Sequence, residues 1–534
     1  RSHPRQAIPK GYPVPLPAHS PEGSFMSATS RARSGSRARL GSRLWLVSAL
    51  LAAAPVWHAR AADPPWPSAD PGVRQSAPLD PRRPLQNESR LSVVEPFTLA
   101  LVGDMIIARP LTRAAPVPGF DRLLSVIRGS DAAFGNLETS LIDTRHFGGA
   151  PYPFDGDWAN VGLPAVAPDL KSMGFDLVGR ANNHAMDWGL DGMRETGRHL
   201  DDAGIVHAGS GENAAQARAP AYYESARGRV ALVSFATTFR PTSEAMPPHG
   251  EAPARPGLSA LHLTMKVHVR EPAMKSLAAA DCALYGRSCG ALPESLNLGG
   301  TRYVLDTRDF NEYVPDSDDL AQIGRAIREA RQHADLVIVA VHSHECRWDC
   351  ELRAGPTIPG EFLKDIAHGA IEAGADVFAT TGIHNLGPIE IWHDRPIFYG
   401  LSNFFWSDIQ EPVPRELFAL NRALLERTYE HPERATDYDL SAPLNAASFA
   451  TEYTFQSILA QVTFAHGAVE HITLYPVWLG YGDNLRTSGT PRLESRPEQV
   501  RAILAQIRER TAAFGLPALD LTVHNGLATL RPAR

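Results

Sequence analysis

Cysteine, excess basic charge and long apolar runs are all scarce in this sequence. Four cysteines occur among 534 residues, and 52 lysines and arginines face 59 aspartates and glutamates, giving a formal net charge of -7. Nucleic-acid binding usually needs a basic excess, so we expect no nucleic-acid partner. The apolar run at residues 44–54 is too short to span a bilayer comfortably. With 43% hydrophobic residues the chain can still bury a large core, which predicts a globular protein.

The N-terminal part differs in composition from the rest. From Met26 onward several arginines precede the apolar run without any acid, and Ala59-Arg60-Ala61 follows it. This order predicts a secretory signal peptide over residues 26–61, after an unassigned leader at 1–25 and before a proline-rich linker at 62–92. A buried amphipathic helix is the alternative, but all of these arginines lie before the apolar run. We expect export to the periplasm or cell envelope, with the signal either cleaved or kept as an anchor.

The four cysteines fall into two local pairs. Cys282 and Cys289 are seven residues apart, and Cys346 and Cys350 are four apart. In an oxidising compartment two local disulfides are the simplest pairing. A zinc site is the alternative, but the pairs lie far apart and lack C-x-x-C spacing.

Apolar runs alternate with helix-period segments between residues 93 and 405. The runs, typical of buried strands, lie at 96–103, 130–134, 175–179, 229–235, 334–341 and 375–378. The helical segments lie at 120–127, 188–203, 318–332 and 360–373. This alternation predicts an α/β sheet wrapped by helices. Ligands of such sheets bind beyond the carboxyl ends of the strands.

Good metal ligands follow these strands. They are two carboxylates, one carboxamide and three imidazoles: Asp104, Glu138, Asn183, His342, His344 and His384. This mixed set suits zinc, manganese or iron better than calcium or magnesium. Each residue alone could instead cap a helix or satisfy backbone groups. Their coincidence at five strand ends predicts a centre for one or two divalent metal ions.

The order of motifs resembles the CapA family, the poly-gamma-glutamate capsule synthesis proteins, over about residues 97–405. The matching stretches are Gly103-Asp104 with Arg109, G-N-L-E at 135–138, A-N-N-H at 181–184 with Asp187, H-S-H-E at 342–345 and R-P-I-F-Y-G-L-S-N-F at 395–404. The resemblance implies a metallo-dependent phosphatase-like fold, a layered α/β/β/α sandwich. It would span residues 93–480 with insertions near 238–315 and 410–451, before a C-terminal helix and tail at 481–534.

The resemblance also implies roles for single residues. It places around the metal centre Asp104, Glu138, Asn183, His342 and His384. His184 would be a catalytic proton donor or phosphate contact, and Arg109 would hold an anionic group unless it forms a surface ion pair. Four more side chains would orient the ligands: Asn182, Asp187, Glu390 and Asn403. Glu390 and Asn403 could instead support the turn after a strand.

Two positions depart from the family pattern. Thr381 stands where the family commonly has the first histidine of G-H-G-P-H, and Ser402 replaces the glycine of L-G-N-F. Loss of an imidazole should weaken one of two metal positions. The centre would then hold one metal, bind it loosely, or be catalytically silent. The second change concerns only the local turn.

The expected function is the synthesis, transfer or trimming of an anionic envelope polymer such as poly-gamma-glutamate, by metal-activated hydrolysis or transfer. Two carboxylates facing two divalent ions would leave a net positive site that attracts anions, either a polymer or a phosphoester. A membrane-bound polymer synthase is a further expected partner. The alternatives are a non-catalytic module that binds the polymer or a partner, and a plain metallophosphoesterase.

Overall fold

The computed structural model describes residues 91–112, 117–151, 159–347, 358–407, 413, 415–448, 452–483 and 487–532. The leader, the signal peptide and nearly all of the linker expected at 1–92 lie outside these residues, and so does Cys350. Among the described helices, none combines the length and the apolar composition that crossing a bilayer requires.

The described strands and helices run through the whole of this region. The strands are β1 Phe97–Ile106, β2 Ala132–Leu137, β3 Ser140–Leu141, β4 Val161–Gly162, β5 Leu177–Gly179, β6 Val206–Ala208, β7 Ser210–Gly211, β8 Ala221–Ser225, β9 Gly228–Ala236, β10 Gly257–Leu258, β11 Leu263–Val269, β12 Ser295–Leu298, β13 Thr301–Leu305, β14 Phe310–Pro315, β15 Leu336–His342, β16 Val377–Thr381, β17 Ile389–Trp392, β18 Arg395–Phe398, β19 Asn403–Trp406, β20 Gln456–Ala465, β21 Ala468–Trp478, β22 Arg492–Leu493, β23 Leu521–His524 and β24 Leu527–Leu530. The helices are α1 Phe120–Gly129, α2 Val166–Met173, α3 Gly189–Asp202, α4 Ala214–Arg218, α5 Glu271–Tyr285, α6 Ser317–His333, α7 Phe362–Ala373, α8 Arg415–Leu420, α9 Arg422–Thr428, α10 Asp437–Ser448 and α11 Pro497–Ala513.

Two large sheets form the framework. The first has the order β23-β24-β21-β20-β1-β2-β5-β6, with β19 and β22 attached to β1 and β21. The second has the order β17-β18-β16-β15-β9-β8. The central pairs β1–β2, β2–β5, β9–β15 and β15–β16 are parallel, so their carboxyl ends share one edge of each sheet. All six strands and all four helices expected between residues 93 and 405 are confirmed.

The sheets face each other across one hydrophobic core. Leu99 and Leu101 of β1 pack in it with Leu232 of β9 and Ile338 of β15. The alternate residues of the same strands point outward, since successive side chains of a strand face opposite sides. On the first sheet they pack against α1, α2 and α3, and on the second against α6 and α7. The layered α/β/β/α sandwich is therefore confirmed.

The helices follow the spacing of their apolar residues. In α1 the buried positions are Phe120, Leu123, Leu124 and Ile127, which lie on one face because three to four residues make a turn. Helix α11 buries Val500, Ile503, Leu504 and Ile507 in the core between the sheets.

The insertions and the C-terminal segment have structure of their own. Residues 238–315 contain α5 and a sheet of order β12-β13-β11-β14, where Cys282 and Cys289 form a disulfide with Cα atoms 4.9 Å apart. Cys346 is also disulfide-bonded. Residues 410–451 contain α8, α9 and α10. The expected C-terminal helix is α11, and the expected tail folds into the hairpin β23–β24, which pairs with β21 and so extends the first sheet.

Candidate metal centre

The carboxyl ends of strands from both sheets meet at one place and bring the expected ligands together. From the first sheet come Asp104 near the end of β1, Glu138 directly after β2, and Asn183 shortly after β5. From the second come His342 at the end of β15 and His384 three residues beyond β16. Every one of these residues is buried. The parallel strands of the two sheets thus end around a shared cluster, which we call the metal cluster.

The backbone around Asp104 depends on a glycine. A Cβ atom at Gly103 would overlap the carbonyl oxygen of Ser402, so only glycine fits where β1 passes the turn before β19. The Asp104 N–H donates a hydrogen bond to the same Ser402 carbonyl oxygen at 2.9 Å. Asp104 lies in register with Asn136 of β2 and Asn403 of β19. The close approach fixes the backbone at Asp104, and the Asn136 amide donates to its Oδ1 at 2.8 Å.

His342 lies at the centre of the cluster. Its Nε2 is 2.8 Å from Asn183 Oδ1 and 3.6 Å from Glu138 Oε1. Its Nδ1 is 3.2 Å from Asn136 Nδ2, and that amide also donates to Asp104 Oδ1 at 2.8 Å. His342 Nδ1 also lies 3.7 Å from Asp104 Oδ1, so one imidazole approaches side chains at the ends of three strands of the opposite sheet, β1, β2 and β5.

Two further imidazoles complete the set. His344 Nε2 is 3.0 Å from His342 Nε2. His384 Nδ1 is 3.5 Å from Asp104 Oδ2 and 2.7 Å from Asn403 Oδ1. Two overlapping groups result, each with ligand atoms that all lie within 4.8 Å of one another: Glu138, His342 and His344, and Asp104, Glu138 and His384. Glu138 is common to both groups.

The protonation of these side chains fits a divalent cation. Burial alone would raise the pKa of Asp104, but hydrogen bonds to His342 and His384 hold it well below its usual range, so the carboxylate is ionised. Burial lowers the pKa of His342, and it lowers that of His344 further, aided by the neighbouring imidazoles. Metal ions bind deprotonated carboxylates and neutral imidazoles. The donor set therefore fits one or two divalent metal ions.

A histidine–aspartate pair borders the cluster. His184 Nδ1 lies 2.6 Å from Asp187 Oδ2, and His184 Nε2 lies 3.8 Å from Glu138 Oε1. Asp187 is fully buried, and its other contacts come from the Asn160 N–H at 2.8 Å and from Arg240 Nη2 at 3.3 Å. Burial raises the pKa of Asp187 although His184 opposes the shift. The pair fixes the imidazole with one nitrogen turned to the cluster.

The chain's family follows from a match over this region. A family model described as bacterial capsule synthesis protein PGA_cap matches residues 98–407, more than half of the chain. The chain belongs to this family. PGA_cap lies in the metallophosphatase-like superfamily, so the resemblance seen in the motifs is confirmed.

Individual relatives agree with this assignment. Uncharacterized protein y4sH of Sinorhizobium fredii (strain NBRC 101917 / NGR234) is 38% identical over 462 residues, covering 83% of this chain and 95% of the relative. PGA biosynthesis protein CapA of Bacillus subtilis (strain 168) is 23% identical over 312 residues, covering 58% of this chain and 63% of the relative. A solved structure described as a putative 5'-nucleotidase from Staphylococcus aureus is a distant structural match: it covers 77% of this chain and 58% of that chain, with 10% identity and a TM-score of 0.32.

The two departures from the PGA_cap pattern have different consequences. Thr381 lies in register with His342, and its Oγ1 is 3.1 Å from His342 Nδ1, so a hydroxyl stands where the motif resemblance led us to expect an imidazole. Ser402 adopts φ 61°, the left-handed conformation that glycine favours, and its hydroxyl donates to the Gln456 carbonyl at 2.8 Å. Ser402 therefore adopts the turn conformation that glycine favours, and Thr381 presents a hydroxyl to His342.

The remaining expected residues are not all brought to the cluster. Asn182 lies at the cluster, because its Nδ2 donates to the Leu137 carbonyl at 2.9 Å. Glu390 instead accepts a hydrogen bond from Tyr399 at 2.8 Å on the far part of the second sheet, which matches the alternative of a local supporting role. Arg109 is exposed and lines a neighbouring cavity.

Sequence reasoning missed several side chains of the site. Asn136 lies inside the G-N-L-E motif, and its position at a strand end was the available signal. Glu345 holds the strand end by accepting hydrogen bonds from Thr238 at 2.9 Å and Ser343 at 2.7 Å. Trp406 packs edge-on to His384 with ring centroids 5.3 Å apart. Trp406 and Arg240 reach the site only through tertiary packing, so no local pattern indicates them.

Proposed function

We propose that this protein acts in the synthesis, transfer or trimming of an anionic envelope polymer such as poly-gamma-glutamate. Membership of a capsule synthesis family supports this role, as does the similarity to a relative named PGA biosynthesis protein CapA. A second such relative, capsule biosynthesis protein CapA of Bacillus anthracis, is 23% identical over 319 residues.

One observation carries the proposed chemistry: carboxylates and imidazoles from both sheets converge into two groups of three that share Glu138, and within each group the ligand atoms lie within 4.8 Å of one another. We assign to this cluster one or two divalent ions, manganese, zinc or iron, held by Asp104, Glu138, His342, His344 and His384. Asn183 adds a carboxamide oxygen close to His342. Two bound divalent ions would outweigh the two carboxylates, so the site would attract an anionic substrate.

When bound, the metal supplies Lewis acidity and activates water for attack on an amide, ester or phosphoester. His184 is the proton donor in this proposal. The bond to Asp187 engages its Nδ1, so Nε2, which lies 3.8 Å from Glu138 Oε1, is the nitrogen that would deliver a proton to a leaving group near Glu138. The burial of the cluster keeps bulk water from competing with the substrate.

Metal content and turnover, measured together, test this proposal. The purified chain would be assayed with gamma-linked glutamate oligomers and with phosphodiesters, alongside Asp104→Ala and His342→Ala. His524→Ala, in the exposed hairpin β23–β24, is the matched control. We expect the two cluster variants to lose metal and turnover together while the control keeps both. Unchanged turnover in both cluster variants would refute the assignment, and turnover of phosphodiesters alone would point to a plain phosphoesterase.

Thr381 favours a second candidate, a non-catalytic module that binds the polymer or a partner. The hydroxyl beside His342 replaces a family imidazole, so the chemistry could be lost while the fold persists. A Thr381→His variant that gains metal and activity would favour a decayed enzyme. Polymer binding by the native chain that is indifferent to a chelator, without turnover, would favour the pure binder.

We also propose that the protein works outside the cytoplasm, next to a membrane-bound polymer synthase. Disulfides persist in oxidising compartments, and Cys282–Cys289 and the bonded Cys346 suit such a place. Cell fractionation with N-terminal sequencing of the mature chain would test export. Recovery of the uncleaved chain in the cytoplasm with reduced cysteines would contradict it.

A further inference from the structure

A cavity of about 620 Å³ lies beside the metal cluster. Trp406 belongs to both, because its ring lines the cavity and packs edge-on to His384 at 5.3 Å between centroids. The rest of the wall comes from residues after β1 and β3, from β4, and from the turn at 488–490. Trp406 therefore links the cavity with the His384 side of the cluster.

The wall of the cavity is fixed by backbone contacts. The Trp406 N–H donates to the Gly489 carbonyl at 2.9 Å, and the Gly489 N–H donates to the Leu479 carbonyl at 2.7 Å. Gly489 has φ 77°, and a Cβ there would overlap the Trp406 carbonyl oxygen. The Ala108 N–H also donates to Ser407 Oγ at 2.9 Å. These bonds tie the turn to β19, so the cavity is preformed.

The lining is basic and mixed in polarity. Arg109 and Arg145 supply two exposed guanidinium groups, and Asp437 is the one acid among the described lining residues. Within the described part of the chain Arg109 forms no ion pair, whereas Asp437 Oδ2 accepts a hydrogen bond from the Val413 N–H at 3.1 Å. Hydroxyls of Thr144 and Thr490 alternate with apolar side chains such as Leu163. Guanidinium groups pair well with carboxylates, and the apolar surface suits methylene groups.

Building on the proposed function, we propose that this cavity binds the part of a carboxylate-bearing polymer that lies next to the unit at the metal cluster. Arg109 and Arg145 would each hold a carboxylate of the chain, and Trp406 would mark the point where the polymer enters the cluster. The cavity would therefore select long substrates over short ones, because only a chain of several units reaches both places.

Binding measured against oligomer length tests this subsite. Titration calorimetry on the full chain would use gamma-linked glutamate oligomers of two and eight units with native protein, Arg109→Gln, Arg145→Gln and the double variant. Arg325→Gln, an exposed arginine on α6, is the matched control. We expect each single variant to bind the longer oligomer about tenfold more weakly and the double variant about a hundredfold, because each loses one charge-assisted contact. Binding of the two-unit oligomer should weaken by less than about twofold in every variant, because this oligomer does not reach the arginines.

Equal losses for the two oligomers would overturn the proposal, since the arginines would then act at the cluster itself. Unchanged binding of the longer oligomer, or none by the native protein, would overturn it as well. A polyphosphate of similar length that binds more tightly and suffers the same losses would overturn the carboxylate assignment. An oligomer that binds through both arginines but is never cleaved would refute the proposed chemistry and leave the subsite proposal standing.

Discussion

His342 Nε2 lies 2.8 Å from Asn183 Oδ1, and this contact joins the two sheets at the metal cluster. His342 ends β15 of the second sheet, whereas Asn183 follows β5 of the first. The cluster thus forms only when the sheets pack face to face, which couples metal binding to the folding of the whole sandwich.

Asn183→Ala should weaken metal binding by about ten- to a hundredfold, because it removes an oxygen that fixes His342 or binds the ion itself. Competition with a chelator would measure the affinity. Asn213→Ala is the control, because Asn213 caps α4 by accepting a hydrogen bond from the Gln216 N–H, so its loss costs about 1 kcal/mol of stability without touching the cluster. Equal metal affinity in both variants would argue against a role for Asn183.

Asp187→Asn should lower kcat by about a hundredfold or more with little change in KM or metal content, because His184 loses the carboxylate that orients it. Steady-state kinetics with metal analysis would separate these effects. Asp201→Asn is the control, since Asp201 also pairs with a histidine, His207 at 3.3 Å, away from the cluster. If Asp187→Asn kept full kcat, His184 would not be the proton donor.

Gly103→Ala should destabilise the protein by more than about 3 kcal/mol, because the new methyl group would overlap the Ser402 carbonyl and force β1 away from the turn before β19. Gly369→Ala provides the contrast. Its position in α7 has open space around it, so the change should stabilise the helix by about 0.5–1 kcal/mol. Urea unfolding of both variants would measure the difference, and similar stabilities would contradict the close approach.

Stability should fall as the pH falls from about 6.5 to about 4. Burial lowers the pKa of His207 from 6.5 to about 4, with help from the nearby Arg180. The unfolded chain therefore binds a proton in this range before the folded chain does, so acid favours unfolding.

The contribution of His207 can be isolated by substitution. His207→Gln should flatten the pH dependence of the unfolding free energy by up to about 1.4 kcal/mol per pH unit, the value for one proton. His524→Gln, at an exposed position, should leave the dependence as in the native protein. An unchanged slope in His207→Gln would show that His207 is not the group responsible.

Local pattern was enough to predict an α/β sheet wrapped by helices and much of the cluster, whereas the arrangement in α/β/β/α layers was implied by the resemblance to the CapA family. Asp104, Asn183 and His342 each follow an apolar run, and parallel strands bring such ends to one edge of their own sheet, but that the edges of two sheets meet here does not follow from local pattern. The C-terminal helix was also expected, and α11 confirms it.

Other features lay beyond local pattern because they depend on distant contacts. The hairpin β23–β24 joins β21 only after the chain has returned to the first sheet. Arg240 reaches Asp187 across 53 residues, and nothing around Arg240 indicates that partner. For Glu390 the sequence left two roles open, orienting a ligand or supporting a turn, and its contacts with Tyr399 and His368 depend on the fold of the second sheet.

Anomalous diffraction from crystals of the manganese- or zinc-loaded protein tests the central claim most directly. The account predicts one or two anomalous peaks within bonding distance of Asp104, Glu138, His342, His344 and His384. A loaded crystal whose metal lies elsewhere, with these five side chains contacting only each other and water, would contradict it.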